Sequence, residues 1–111
     1  MKRLKVVHRE GSRGDLSDIY QFLVEIGTAR RTAQAYVRRL RLACERIGDA
    51  PRGGRSRDDL EPGLRTWSFE RRAVIAYKVL GEEVAITNIF YAGRDIAAFY
   101  RLDPAPKASK A

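Results

Sequence analysis

The sequence has little of the residues on which metal sites and familiar hydrolases depend. It contains one cysteine, Cys44, and one histidine, His8, among 111 residues. A single cysteine forms no internal disulfide, and with one histidine only carboxylates remain to complete a metal site. Every Ser-His-Asp or Cys-His arrangement would have to use His8. We therefore expect no metal ion and no cofactor, whereas chemistry based on arginine and tyrosine remains open.

Long hydrophobic runs are absent as well. No apolar stretch approaches the roughly 20 residues of a transmembrane helix, and no apolar core of signal-peptide length follows the basic N-terminus. Hydrophobic residues make up 44% of the chain and charged residues 32%, which is typical of one folded domain. These features predict a cytoplasmic protein without a membrane partner.

Lysine is scarce, since only five of the 22 basic residues are lysine and the others are arginine. The net charge is +8, and its excess is concentrated in residues 30–57, where nine arginines accompany two acids. Arginine favours planar, bidentate recognition of carboxylate or phosphate. The charge therefore predicts a strongly acidic protein partner or a polyanion.

The N-terminal half predicts a short strand followed by two helices. Residues 3–8 resemble a strand, Gly11 to Gly14 break the chain, and Asp15 is a good N-cap for a helix whose apolar stripe ends near Ile26. Gly27 predicts the end of this helix, and Thr28 can cap the next one. The second helix carries an apolar stripe with helical spacing, formed by Ala33, Tyr36, Val37, Leu40, Ala43, Cys44 and Ile47.

The C-terminal half predicts a loop, three antiparallel strands and a short helix. The loop covers residues 52–63, the strands cover 64–69, 73–80 and 84–91, and the helix covers 94–102. The last two strands are apolar on both faces, as expected for strands covered on both sides. The fold class is α+β, with a helical hairpin on a small antiparallel sheet. We expect one domain over residues 1–102 and a disordered tail over 103–111.

Five stretches resemble the ParE/RelE superfamily of toxins from bacterial type II toxin–antitoxin systems, and most closely its ParE branch. The resemblance covers residues 14–101 and is carried by DLSDIYQFL, ACERIGDAP, GGRSRDDLEPGLR, AVIAYKV and VAITNIFYAGRDIAAF, in this order. It implies a compact toxin that a cognate acidic antitoxin neutralises. ParE members are taken to poison DNA gyrase by binding it, whereas RelE members cut ribosome-bound mRNA.

The alternative RelE-like activity implies Arg65, Arg94 and Tyr100 as catalytic residues, with arginine stabilising the phosphorane and tyrosine assisting proton transfer. Arg94 and Tyr100 have the expected spacing of six residues. However, the first strand of the sheet offers no lysine, and Val74 stands where a RelE-like arginine would lie three residues before Tyr77. Arg71 and Arg72 would substitute only if the strand began elsewhere. The residues therefore favour a toxin that binds without catalysis.

For the ParE-like activity we expect Arg65, Arg72 and Arg94 to gather at one end of the sheet and to contact the target. The alternative is that they form surface salt bridges to Glu70, Asp95 or Asp58.

The expected antitoxin surface comprises the basic face of the second helix and an aromatic groove, formed by Arg31, Arg38, Arg41, Trp67 and Phe69. Packing of the two aromatic residues against the helices is the alternative, and direct binding to nucleic acid is left open. A protein of this shape that is no longer toxic and only binds an antitoxin remains a third possibility.

Overall fold

The computed structural model describes residues 3–102, with the side chain of Leu102 excluded, so the expected tail at 103–111 lies outside the described residues. The elements follow the predicted order with one additional short strand. They are β1 (Lys5–His8), α1 (Glu10–Glu25), α2 (Arg30–Ile47), β2 (Arg55–Ser56), β3 (Arg65–Phe69), β4 (Ala73–Leu80), β5 (Glu83–Tyr91) and α3 (Ile96–Leu102).

The five strands form one sheet in the order β1-β5-β4-β3-β2. The pairs β3–β4 and β4–β5 are antiparallel, whereas β1 pairs in parallel with β5, from Lys5 opposite Glu83 to His8 opposite Ile86. The predicted α+β class is therefore confirmed, and β1 adds a parallel pair to the expected antiparallel sheet.

The helical hairpin of α1 and α2 covers one face of the sheet, which we call the hairpin face. Its core contains fifteen buried residues, among them Leu16 of α1, Leu40 of α2 and Ile75 of β4. The predicted stripe of α2 is confirmed, because all its members are buried except the partly buried Val37. Cys44 is fully buried in this core, and burial raises the pKa of its thiol to about 12. It is therefore a small core residue, as expected.

The opposite face, which we call the α3 face, has a much smaller core. Its buried residues in the described chain are Leu64, Ala76 and Phe90, with Phe99 and Tyr100 of α3 packed partly buried against them. The phenyl rings of Phe90 and Phe99 lie 5.2 Å apart in an edge-to-face arrangement. β4 and β5 are thus covered on both faces, as their sequences predicted.

The prediction that residues 11–14 break the chain is wrong, because α1 begins at Glu10 and includes them. The first turn of α1 lies directly against β5. A Cβ atom at Gly11 would be 2.8 Å from the Thr87 carbonyl oxygen and 2.9 Å from the Asn88 amide nitrogen. Gly11 therefore permits this close approach of helix to strand, which outweighs the roughly 0.5–1 kcal/mol that glycine costs inside a helix.

Asp15 does not cap α1 but fixes the helix to β5. Its carboxylate accepts a hydrogen bond from the Ile89 backbone N–H at 2.8 Å and one from the Asn88 side-chain amide at 3.2 Å. These contacts lie next to a β-bulge, where Ala76 pairs with Asn88 but Tyr77 pairs with Ile86. The bulge reverses the alternation of β5, so that Val84, Ile86 and then Ile89 all belong to the core of the hairpin face.

Two other local predictions also need correction. Thr28 does not cap α2, whose N-cap is Ala29 without a side-chain hydrogen bond, although Gly27 ends α1 as expected with a φ of 97°. The predicted loop over residues 52–63 contains β2, which pairs with β3.

The buried Tyr77 hydroxyl organises the start of this loop. It donates to the Pro51 carbonyl oxygen and accepts from the Gly54 N–H, each at 2.9 Å. The loop therefore passes close above β4, and a Cβ atom at Gly54 would overlap the Tyr77 hydroxyl.

Candidate functional site

The outer side of the helical hairpin carries an arginine-lined groove of about 440 Å³, which we call the hairpin groove. Because α1 and α2 each present one polar face to solvent, their adjoining edges leave an apolar floor between charged rims. The lining residues are Arg13, Leu16, Ser17, Tyr20, Gln34, Val37, Arg38 and Arg41. The groove offers both an apolar surface and a positive rim to an amphipathic segment.

The structure brings together two of the three arginines expected on the basic face of α2. Arg38 and Arg41 line the hairpin groove, and the exposed Arg31 lies seven residues before Arg38, which places it on the same side of the helix. None of these three arginines forms a salt bridge with any described residue. The face therefore stays positive without internal neutralisation.

Trp67 and Phe69 do not line the hairpin groove. Both are partly buried and pack against the core of the hairpin face, and the Phe69 ring lies 5.7 Å from the Tyr36 ring of α2. This position corresponds to the core-packing alternative, and the aromatic groove expected for the antitoxin is not formed by these two residues. Their contribution to antitoxin binding stays a prediction.

A second arginine surface lies at the end of the sheet where the β3–β4 turn meets the turn after β5. A pocket of about 150 Å³, which we call the turn-end pocket, opens there on the α3 face. Its lining residues are Ser68, Arg71, Arg72, Ala73, Val74, Phe90, Gly93, Arg94 and Ile96. Of the three arginines expected to gather, Arg72 and Arg94 therefore do so, and Arg71 joins them.

Both turns that form this pocket have unusual backbone conformations. Glu70 and Arg71 have φ values of 49° and 59°, and Ala92 has a φ of 58°. Residues with a side chain pay about 1–2 kcal/mol for this left-handed region, which glycine and asparagine usually occupy. The Ala92 N–H donates to the Arg72 carbonyl oxygen at 2.9 Å. The two turns are thereby held side by side, with their arginines at one end of the sheet.

The alternative, in which Arg72 and Arg94 form surface salt bridges to Glu70, Asp95 or Asp58, is not found among the described residues. Glu70 binds Arg39 through two hydrogen bonds of 3.0 and 3.1 Å, and this guanidinium holds the pKa of the Glu70 carboxyl below its usual value. Asp95 instead accepts a hydrogen bond from the Ala98 N–H at the start of α3. The Arg94 guanidinium lies over two rings, 5.6 Å from the Phe90 centroid and 6.0 Å from that of Phe99. These contacts orient Arg94 without neutralising it.

Arg65 lies apart from the other two expected target residues. It pairs with Tyr77, at the opposite end of β3 from Phe69 and the β3–β4 turn. Its guanidinium donates to the Gly54 carbonyl oxygen at 2.8 Å and to that of Arg52 at 3.3 Å. The expectation that Arg65 gathers with Arg72 and Arg94 is therefore wrong, and Arg65 fixes the loop before β2.

The three residues expected for a ribonuclease are not assembled. Arg65 is bound to the loop, and the Tyr100 hydroxyl oxygen is buried on the α3 face, where the Tyr100 ring lies 5.0 Å from the Phe99 ring. β4 begins at Ala73, as predicted, so that Val74 keeps the position where RelE-like enzymes carry an arginine. A substrate in the turn-end pocket would meet arginines but no exposed Tyr100 hydroxyl.

His8 occupies the junction between β1 and α1. Its Nδ1 atom lies 2.7 Å from the Oγ of the fully buried Ser12, and its carbonyl oxygen accepts a hydrogen bond from Arg13. Burial, aided by the positive charge of Arg41, lowers the pKa of His8 below its ordinary value. These contacts give His8 a place in the packing of α1 against β1.

Sequence reasoning missed a third concave surface of about 390 Å³, between α1 and the end of β5. It includes Phe22, which is 41% exposed, together with Ile89, Tyr91 and Arg94. β1 pairs with β5 only as far as Ile86, so beyond that residue the edge of β5 that faces away from β4 pairs with no strand of the described chain. Sequence periodicity gave no signal for this surface. Ile89 and Tyr91 face it because of the bulge in β5, and the bulge arises from how β5 pairs with β4, which the periodicity of one strand does not show.

In residues 3–102, no group of three or more His, Cys, Asp or Glu side chains is arranged to hold a metal ion. None of the helices described there is long and apolar enough to cross a membrane.

Comparisons with known proteins agree with this architecture. Residues 7–96 match the family described as ParE toxin of type II toxin-antitoxin system, parDE. Toxin ParE3 of Caulobacter vibrioides is 33% identical over 94 residues, which cover 85% of this chain and 92% of that protein. The structure of a chromosomal ParDE toxin–antitoxin system from P. aeruginosa shares the fold, with a TM-score of 0.72, 22% identity, and coverage of 82% of this chain and 98% of that one. On the strength of the family match and the Caulobacter relative, this chain belongs to the ParE toxins of type II toxin–antitoxin systems.

Proposed function

We propose that this ParE-family toxin acts in the cytoplasm by binding DNA gyrase and stalling it on DNA, without covalent chemistry of its own. The observation that supports this most is the separation of the three ribonuclease candidates. Arg65 is hydrogen-bonded to a loop, the Tyr100 hydroxyl is buried, and no described residue lining the turn-end pocket is a histidine or a carboxylate. The pocket can therefore bind a negatively charged group but lacks a group suited to general acid–base catalysis.

In this proposal the turn-end pocket, with Arg72 and Arg94, contacts the target. These side chains line a pocket on the thinly covered α3 face and carry no internal ion pair among the described residues. We leave Arg65 out of the proposed target surface, because its guanidinium is hydrogen-bonded to the loop at the other end of β3. The proposed surface is therefore smaller than the one expected from the sequence and is centred on the two turns.

We further propose that a cognate antitoxin neutralises the toxin by laying an acid-rich amphipathic segment in the hairpin groove. Leu16, Tyr20 and Val37 supply an apolar floor, while Arg38 and Arg41 supply the positive rim. A helix with one apolar and one acidic face matches this combination. The solved relative from P. aeruginosa is described as a toxin–antitoxin system, which is consistent with such a partner.

The experiment that tests the target is a pulse-label of bacterial cells just after induction of this chain alone, with DNA and protein synthesis followed separately. We expect DNA synthesis to fall first and gyrase-linked DNA breaks to appear. A first fall in protein synthesis with cut mRNA would instead establish the ribonuclease alternative. Normal synthesis of both, with antitoxin binding intact, would show that the protein is no longer toxic.

The antitoxin surface is tested by reversing its charge. The double variant Arg38→Glu/Arg41→Glu should bind the antitoxin at least about tenfold more weakly and with a smaller salt dependence, because charged rims contribute through long-range attraction and local pairing. Arg9→Glu/Arg55→Glu is the matched control, since both residues are exposed and lie outside the groove. Equal affinities of the two variants, measured by titration calorimetry, would remove the hairpin groove from the proposal.

A further inference from the structure

The turn-end pocket concentrates positive charge in a space too small for a helix or a strand of a partner. Arg71, Arg72 and Arg94 line about 150 Å³, and no aspartate or glutamate of the described chain is among the lining residues. Because a water molecule occupies roughly 30 Å³ in the liquid, the space accommodates about five waters, or one oxyanion group with a few accompanying waters. The pocket is therefore matched to a single small anionic group.

The neighbouring acids are already committed to other partners. Glu70 is the residue between Phe69 and Arg71, but its carboxylate binds Arg39 of α2. Asp95 follows Arg94, but its carboxylate caps α3 at the Ala98 N–H. Neither acid is therefore available to neutralise the pocket without breaking a contact that the fold uses. Three arginines held together without an acid repel one another, and a bound anion relieves this repulsion.

The geometry favours a tetrahedral phosphate over a planar carboxylate. A phosphate presents several oxygens to donors that converge from different directions, and arginine binds it in a bidentate manner. Here the donors come from two separate turns, and the exposed Ser68 contributes a hydroxyl group at the pocket wall. Arg94 is also held over the Phe90 and Phe99 rings, which limits the conformational freedom that it would lose on binding.

We propose that the turn-end pocket binds a backbone phosphate of DNA. This inference deepens the proposed function, because it makes the DNA held by gyrase, and not only the protein, a direct contact of the toxin. It rests on the target site proposed above but is measured without gyrase, so that either proposal can fail while the other stands. This contact carries no DNA sequence specificity, since phosphate contacts only position a protein on DNA and sequence is recognised through contacts to the bases.

The test is the binding of the full chain, free of antitoxin, to a fluorescently labelled 20-base-pair DNA duplex at several salt concentrations. Each phosphate contact on duplex DNA contributes about 0.9 to the slope of log affinity against log salt concentration. Because the pocket holds one phosphate, Arg72→Gln/Arg94→Gln should lower the affinity at least about tenfold and reduce the slope by about 0.9. Arg9→Gln/Arg55→Gln removes the same charge from exposed residues outside the pocket and should change the affinity less than about threefold.

Three outcomes would overturn the inference. If both double variants lose affinity equally, the attraction is a diffuse property of the +8 chain and not of this pocket. If the wild-type chain does not bind the duplex at low salt, the pocket takes no DNA phosphate. If an oligoglutamate peptide competes as well as an oligonucleotide of equal charge, the pocket recognises carboxylates of a protein partner.

A second measurement distinguishes DNA from a free anion. Inorganic phosphate is titrated into the 15N-labelled chain, with the Nε–H signals of Arg72 and Arg94 followed by NMR. We expect both signals to shift, with millimolar phosphate required and with the duplex displacing it at far lower concentration. Saturation by micromolar phosphate, with no displacement by the duplex, would assign the pocket to a small free anion and overturn the DNA proposal.

Discussion

The two faces of the sheet are covered very differently. Within the described residues, two long helices cover a core of fifteen buried residues on the hairpin face, whereas the α3 face has three buried residues beneath a seven-residue helix and a loop. The chain places its stabilising contacts on the first face and the turn-end arginines on the second. The surface proposed to meet the target therefore lies on the part of the fold that contributes less to stability, where substitutions are tolerated better.

Truncating one buried leucine on each face tests whether the two faces differ in their contribution to stability. Leu40 on the hairpin face is 0% exposed and Leu64 on the α3 face is 1% exposed. Burial alone would therefore give the two alanine variants the same cost, within the range of about 2–5 kcal/mol. We expect Leu40→Ala to lie near the upper end, because the large core cannot collapse around the cavity, and Leu64→Ala near the lower end. The free energy of unfolding of both variants is measured by urea denaturation. Equal losses of this free energy would refute the difference in stability between the two faces.

A second test concerns the contact that holds α1 to β5. Asp15→Ala leaves the Ile89 N–H without its acceptor at the bulge and should cost about 1–3 kcal/mol of the free energy of unfolding. Asp15→Asn keeps one carbonyl acceptor and should cost less. Asp18→Ala, one turn later on the exposed side of α1, serves as the control and should change stability by less than about 0.5 kcal/mol. Similar losses for Asp15→Ala and Asp18→Ala would show that the bulge is stable without this bond.

The smallest expected effect is a pH dependence from the junction of β1 and α1. Burial and the nearby Arg41 and Arg13 lower the pKa of His8, while Glu45 opposes them. The unfolded chain therefore takes up this proton more readily, and stability falls as the pH drops below the ordinary value of 6.5. His8→Gln should lose less stability than the wild type between pH 7.5 and 5.5, as measured by urea unfolding. Carboxylates with lowered pKa values, such as Glu70, are present in both proteins, so their contribution cancels. Parallel pH profiles would contradict this assignment.

The regular elements could be predicted because their apolar residues repeat with one clear period. The stripe of α2 and the alternation in β3 each determine one buried side, and the largely apolar run of β4 indicates a strand covered on both faces. The start of α1 could not be predicted, because Gly11 and Gly14 ordinarily indicate a break, and the reason for Gly11 is its approach to Thr87 far along the chain. The parallel pairing of β1 likewise depends on partners that no local pattern specifies.

The candidate site was predictable in its residue types and less so in its grouping. The unpaired charge of Arg38 and Arg41 follows from the scarcity of acids at suitable positions along α2, which the sequence shows. The grouping of Arg72 with Arg94, and the separation of Arg65, depend on which end of β3 faces the turns. Sequence order alone does not indicate that Arg65 is engaged by the carbonyl of Gly54.

The bulge in β5 has a consequence for comparisons among related chains. The bulge adds one residue between Ile86 and Asn88. Side chains that face the hairpin core therefore have even numbers before the bulge, as in Val84 and Ile86, and odd numbers after it, as in Ile89. Loss of a single residue there would exchange Ile89 with Phe90 between the two cores. When related chains are aligned, residues 87–91 are therefore best matched by the face of the sheet toward which each side chain points. In a relative that lacks the bulge, an alignment without a gap would pair residues that face opposite sides of the sheet.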